Sequence, residues 1–239
     1  MCAMTPSRTT HVLFDFFGTL VDYSAAVAGA CAATECAALI RSYGGRLDEA
    51  AFISAWDGAY DSFHSVAVAD HREFSMDQLS RVFLANVLRR EPTAAESRAL
   101  VTTYIRHWND GVQYRPDTPA ILAKLAERFT LAVVSNTHEA ELVPAHIAAM
   151  GIAEHFDTVL TSIEFGWRKP HPSIYAAALD RLGIDASRAV FVGDTYDTDF
   201  AGPEAAGIPA YLIDPAHAYV IPADRRLDSL ADLPARLLP

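Results

Sequence analysis

Residues 11–19 read HVLFDFFGT, an apolar run of strand length, His11–Phe17, that carries Asp15 near its end and breaks at Gly18-Thr19. A glycine at that point permits a tight backbone turn. Working outward, four more runs have the same form: Leu131–Ser135, Thr158–Thr161, Ala189–Gly193 and Ala210–Ile213. Between these four lie stretches with helical periodicity, such as Glu139–Met150 and Pro172–Leu182, stopped by Gly151 and Gly183. Apolar strands alternating with helices predict an α/β fold with a parallel sheet covered on both faces.

The interval after the first strand breaks this rhythm. No further strand is predicted until about residue 130, and the intervening chain reads as helix over Ala25–Tyr43, Leu47–Val66, Ser75–Arg90 and Ala94–Trp108. A joint falls at Asn86–Thr93, and another at Asp110–Pro119, where Asp117 or Thr118 could cap a helix. The simplest organisation is a Rossmann-like α/β core, residues 1–24 and 112–239, carrying an inserted α-helical domain over 25–111.

Composition narrows the function classes. The 239 residues include 19 basic and 30 acidic side chains, for a net charge of −11, and no basic run exceeds two residues. A nucleic-acid or anionic-membrane surface is excluded on that balance, while a small anionic substrate remains compatible with a locally positive pocket. Three cysteines, Cys2, Cys31 and Cys36, have neither disulfide-framework nor zinc spacing. The opening MCAMTPSRTT lacks an apolar targeting core, and no 18-residue apolar run follows, so a cytoplasmic protein is expected. Only Lys124 and Lys169 are lysines; the other 17 cations are arginines.

In open parallel sheets, ligands bind beyond the carboxyl ends of the strands. The residues at those ends are Asp15 with Phe17-Gly18-Thr19, Ser135-Asn136-Thr137, Lys169 within Gly166–Pro170, and Gly193-Asp194 through Asp199. One edge therefore gathers a carboxylate, small hydroxyl and amide groups, a lysine and an acidic cluster.

These segments, FDFFGT, VVSNT, the lysine of RKPHPSIY and VFVGDTYDTD, occur in the order and spacing of the four motifs of the haloacid dehalogenase (HAD) superfamily. The chain resembles that family over 11–24 and 117–235, with the helical insert where the family carries its cap. The resemblance implies a hydrolase in which Asp15 is the carboxylate nucleophile, forming an aspartyl intermediate that divides one hard displacement into two easier ones. Gly18, Thr19, Ser135 and Asn136 would face the oxygens of the transferring group. Lys169 would pair with Asp15 and with the substrate. Asp15, Asp194, Asp199 and the Phe17 carbonyl would form a hard-oxygen site for Mg2+. Asp197 is read as facing solvent or the turn, with a further metal ligand as the alternative, Arg168 as solvated, and His64, His71, His138 and His171 as surface or packing residues.

Phe17 departs from the phosphatase pattern, which has an acid–base aspartate at that position; such help is worth roughly 10²- to 10⁴-fold. An aromatic there resembles the 2-haloacid dehalogenases, whose halide leaving group needs no proton. Those enzymes are metal-free, however, and use a cap arginine where this chain has Trp56-Asp57. The phosphonatases, which form a Schiff base through a cap lysine, are excluded because 25–115 contains no lysine. The expectation is a Mg2+-dependent phosphatase of a small phosphorylated metabolite. The alternatives are a 2-haloacid dehalogenase-type hydrolase and a degenerate binding protein. Candidate replacements for the missing acid are a cap histidine, His64 or His71, a substrate with a good leaving group such as an acyl phosphate, or a group on the substrate. Among cap aromatics, Trp56, Tyr60, Phe63 and Phe74 fall at spacings that favour packing.

Overall fold

A computed structural model describes residues 9–238; residues 1–8, with Cys2, lie outside the described residues, as does Pro239. The strands are β1 (His11–Phe14), β2 (Val21–Tyr23), β3 (Val112–Tyr114), β4 (Thr130–Ser135), β5 (Phe156–Thr161), β6 (Ala189–Gly193), β7 (Ala210–Ile213) and β8 (Arg226–Leu227). The helices are α1 (Ala25–Ser42), α2 (Glu49–Asp70), α3 (Met76–Leu88), α4 (Ala94–Asn109), α5 (Thr118–Ala126), α6 (Leu142–Ala149), α7 (Ser162–Phe165), α8 (Pro172–Leu182), α9 (Gly202–Ala205) and α10 (Leu233–Leu237). Contacts divide the chain into two compact units, Met1–Asp22 with Tyr114–Pro239, and Tyr23–Gln113.

The first unit is built on a six-stranded sheet in the order β5-β4-β1-β6-β7-β8, with every pairing parallel. Counting only these strands along the chain, the order is 3-2-1-4-5-6, the doubly wound Rossmann order. β1 is central, with Val12 in register with Leu131 of β4 and Val190 of β6. Its residues Val12–Phe14 are fully buried, as are Leu131–Val134 of β4. Such two-sided burial is why these strands are continuous apolar runs and do not alternate. On one face Leu13, Val134 and Phe191 pack with Ile174, Tyr175 and Ala178 of α8.

The strand at 11–17 is shorter than the apolar run. It ends at Phe14, because the Gly18 amide donates to the Val21 carbonyl at 2.7 Å and those of Leu20 and Val21 to the Phe16 carbonyl, which turns the chain at once. β2 and β3 contradict the expectation that no strand precedes residue 130; at three residues each they are too short to show a period. α5 begins at Thr118 after Asp117, whose side chain makes no capping bond. α8 spans Pro172–Leu182, closed by Gly183 in the left-handed conformation.

The second unit contains α1 to α4. Asp48 caps α2, and Ser75/Gln78 and Thr93/Glu96 form reciprocal capping boxes on α3 and α4, satisfying amides that the first turn leaves unpaired. Its core centres on Trp56, whose ring lies 5.8 Å from Phe52, 5.1 Å from Phe83 and 4.8 Å from Tyr104. Phe74 is buried in the same cluster, and Tyr60 and Phe63 pack against it. Burial pushes the Cys36 thiol up to about 12, which keeps it protonated and inert. No helix among the described residues is long and apolar enough to cross a membrane.

Candidate active site

The doubly wound order fixes where a site forms, since its crevice opens where connections leave a central strand in opposite directions. Asp15 directly follows β1, and Asp194 directly follows the neighbouring β6. The Asp15 amide donates to the Val192 carbonyl at 2.9 Å, carrying the parallel pairing one residue past the strand and aiming Asp15 at β6. Asp199 lies one turn further, in a π-helical turn over Tyr196–Ala201, a geometry that recurs at functional sites. Asp15, Asp194 and Asp199 each offer a carboxylate oxygen within 4.8 Å of the others.

Lys169 reaches this cluster from the segment between α7 and α8. Its ammonium donates to Asp15 Oδ1 at 2.8 Å and to Asp199 Oδ1 at 2.7 Å, and only 2% of the residue is exposed. The position of the lysine is set by its backbone. The Lys169 amide donates to Asn136 Oδ1 at 2.8 Å, and Asn136 Nδ2 donates to the Lys169 carbonyl at 3.0 Å. Both ends of the Asn136 carboxamide thus hold the lysine loop to the end of β4.

The three carboxylates are not equally engaged. Asp199 accepts from Lys169, from the Thr198 hydroxyl at 3.0 Å and from the Thr195 amide at 3.0 Å. Asp194 is less engaged, accepting from its own main-chain amide and, in a long contact of 3.4 Å at Oδ1, from the Thr19 hydroxyl. Gly18 has φ +84°, and a methyl group there would collide with the Asp194 carboxylate. The close approach of the turn to Asp194 therefore requires glycine at 18 for both its conformation and its missing side chain. At Gly193 only space requires glycine: a methyl group there would collide with the Asp199 side chain. The Ser135 hydroxyl is buried at the end of β4 and has no hydrogen-bond partner among the described residues. A buried hydroxyl left unpaired costs about 1–3 kcal/mol, so a ligand oxygen there would relieve that cost.

Electrostatics follow from the charge count. Three carboxylates, those of Asp15 and Asp199 buried and that of Asp194 half-buried, face one ammonium, a formal excess of two negative charges. Burial raises Asp15 to about 6 against the opposing pull of Lys169, and burial with the Asp15 and Asp199 charges raises Asp194 to about 7. Burial pulls Lys169 down, but Asp15 and Asp199 outweigh it and hold the ammonium charged. Hard oxygens, an open carboxylate and a surplus of two negative charges suit a divalent cation such as Mg2+.

Phe17 is half-buried, its ring edge-on to Phe16 at 5.0 Å and to His146 at 6.1 Å. Asp197 is exposed, as expected, whereas Arg168 is half-buried, more enclosed than the solvated side chain expected. The residues that sequence reasoning missed are supports: Thr195, Thr198 and Tyr175, whose hydroxyl donates to the Thr198 carbonyl at 2.6 Å. The adjacent Gly202, an otherwise unexplained glycine in a helical turn, was the only signal.

Comparison with known proteins settles the family. A family model described as haloacid dehalogenase-like hydrolase matches residues 9–207. The chain belongs to that family. Among relatives of this HAD-like hydrolase, haloacid dehalogenase-like hydrolase domain-containing protein 3 of Homo sapiens is 38% identical over 43% of this chain and 43% of its own length. Phosphoglycolate phosphatase of Mesorhizobium japonicum is 32% identical over 53% of this chain and 57% of its own. The matches thus span about half the length of these curated relatives. A solved structure of 2-haloacid dehalogenase from Pseudomonas syringae is 28% identical, with a TM-score of 0.72 over 96% of this chain and 98% of that one.

Proposed function

We propose that this HAD-like hydrolase is a Mg2+-dependent phosphatase of a small phosphorylated metabolite, with the helical unit serving as its cap. The carrying observation is the cluster of Asp15, Asp194 and Asp199 around a single lysine, with two negative charges uncompensated. That excess has no use in a metal-free dehalogenase, whereas a divalent cation neutralises it. The phosphatase among the relatives supports the same reading.

In this mechanism an Asp15 carboxylate oxygen bonds to phosphorus while the substrate P–O bond breaks and the leaving oxygen takes the bonding pair. Water then attacks the aspartyl phosphate, releasing inorganic phosphate and restoring the carboxylate. Asp15, Asp194, Asp199 and the Phe17 carbonyl are the residues that would hold Mg2+, which when bound offsets the phosphoryl charge. Lys169 orients Asp15 and adds a fixed positive charge beside the transferring group. The Ser135 hydroxyl, the Gly18-Thr19 turn and the main-chain amide of Asn136 supply donors to the phosphoryl oxygens. Phe17 has no proton to lend, so the reading favours a leaving group stable as an anion, such as an acyl phosphate. His64 and His71 of the helical unit are the side-chain alternatives, and unchanged turnover and pH profile in His64→Gln and His71→Gln eliminates them.

Two observations favour a second reading, hydrolytic dehalogenation: the 2-haloacid dehalogenase likeness covers nearly the whole chain, and Phe17 stands at the acid position. Against it, Trp56, at the place of the cap arginine, is 2% exposed and enclosed by aromatic rings. The two separate in one assay. The phosphatase hydrolyses p-nitrophenyl phosphate or acetyl phosphate only with Mg2+ and loses this in Asp15→Asn. Metal-independent chloride release from 2-chloropropionate, without phosphatase activity, overturns the first reading.

A further inference from the structure

Tyr175 is one of the largest fully buried side chains in the chain and carries a phenol into an otherwise apolar cluster on α8. A buried hydroxyl must find a partner, or burial costs about 1–3 kcal/mol. Its partner is the Thr198 carbonyl, at 2.6 Å, inside the π-helical turn that carries Asp199. Gly202, which ends that turn, has φ −63°, available to any residue, so glycine is not there for its conformation. It is there for space: a methyl group on Gly202 would overlap the Tyr175 hydroxyl and press on the Asp197 carbonyl and Pro170. Hydroxyl, carbonyl and glycine form one close-packed joint between α8 and the turn.

Inside the turn the Asp199 amide donates to the Thr195 carbonyl at 2.8 Å, the Thr195 amide to Asp199 Oδ2 at 3.0 Å and the Thr198 hydroxyl to Asp199 Oδ1 at 3.0 Å, while Tyr196 stacks on Phe200 and Tyr219. The Tyr175 hydroxyl adds a tie from α8 to the main chain of the turn. The Thr198 carbonyl is one residue before Asp199, so whatever holds it sets where the Asp199 carboxylate lies against Lys169. We infer that Tyr175 is a positioning residue: through the Thr198 carbonyl its hydroxyl fixes the turn that presents Asp199 to Lys169 and to the carboxylate cluster. The consequence for cation binding rests on the phosphatase reading; the consequence for the turn does not.

The test is Tyr175→Phe, which keeps the ring and removes only the hydroxyl. Amide hydrogen exchange at Thr195 and Asp199 is expected to speed up roughly tenfold, the loss of one buried hydrogen bond, while Phe191 and Val192 of β6 keep their protection. Unchanged exchange at both amides overturns the inference. Gly202→Ala is expected to speed the same amides in the wild-type background, and less in the Tyr175→Phe background, where no hydroxyl is left to displace. Equal effects in the two backgrounds also overturn it. In wild-type protein, Mg2+ should raise the melting temperature, and Tyr175→Phe should shift the midpoint of that titration about tenfold higher, as outer supports of ligands do. A wild-type protein indifferent to Mg2+ refutes the metal reading alone, because the exchange measurement still decides the role of Tyr175.

Discussion

The Lys169 ammonium donates to Asp15 Oδ1 at 2.8 Å, and the pair is buried at the end of the central strand. Removing the cation leaves Asp15 and Asp199 buried without their shared partner. Breaking a buried pair from one side costs roughly 3–5 kcal/mol. Lys169→Met is therefore expected to lower unfolding free energy by about that amount in urea titrations and to abolish turnover. Lys169→Arg should fail almost as badly, because a planar guanidinium cannot take the place of a compact ammonium between two carboxylates.

Asp15→Asn should separate activity from stability in the opposite sense. The substitution removes one of three crowded carboxylates and leaves Lys169 paired with Asp199 at 2.7 Å. Turnover should vanish, while the melting temperature without added metal stays the same or rises, as happens where an active site stores unfavourable charge. A marked fall in melting temperature would show that Asp15 contributes to folding as well.

Two glycines with similar backbone conformations should respond differently to alanine. Gly18 at φ +84° faces the Asp194 carboxylate, whereas Gly151 at φ +66° has open space beside it. Gly151→Ala should lose only the conformational part, about 1 kcal/mol. Gly18→Ala should lose more, with turnover abolished, because Asp194 must move. Urea midpoints for the two variants, measured side by side, test the difference.

One contribution to the pH dependence of stability comes from a residue away from the cluster. Asp214 follows β7 and is buried, where desolvation acts against its charge; amides from Ala218 and Tyr219, with Arg226, outweigh that and hold its pKa below the ordinary 3.8. A carboxylate depressed on folding stabilises the folded state above its unfolded pKa, and that contribution is lost as pH falls through the folded pKa. Wild type should exceed Asp214→Asn in stability at pH 7, and the gap should close below about pH 3.8. A gap independent of pH would mean that the hydrogen bonds act without the charge.

Much of this arrangement was legible because burial writes itself plainly into sequence. β6 reads as AVFVG, and the residue after it is Asp194; the run locates the strand, and the strand end locates the carboxylate. Pro172 and Gly183 fix the limits of α8 by backbone chemistry alone. What escaped notice depends on the paths of loops. Nothing in the segment VVSNT shows that the Asn136 carboxamide turns away to hold the Lys169 backbone, since the two are 33 residues apart. Arg168 was misread because charge usually implies solvent, yet its long aliphatic stem allows it to be half-buried.

The central place of β1 has a consequence for synthesis. The strand of this sheet that is made first needs neighbours on both sides, and the second of them, β6, is made only after β4 and β5. Lys169 follows Asp15 by 154 residues, an interval of roughly 8–30 s at 5–20 residues per second. Over that interval Asp15 lacks the ammonium it pairs with in the folded chain. Asp15 is thus the first part of the site to be translated, and a chain cut short before β6 carries it without Asp194 and Asp199.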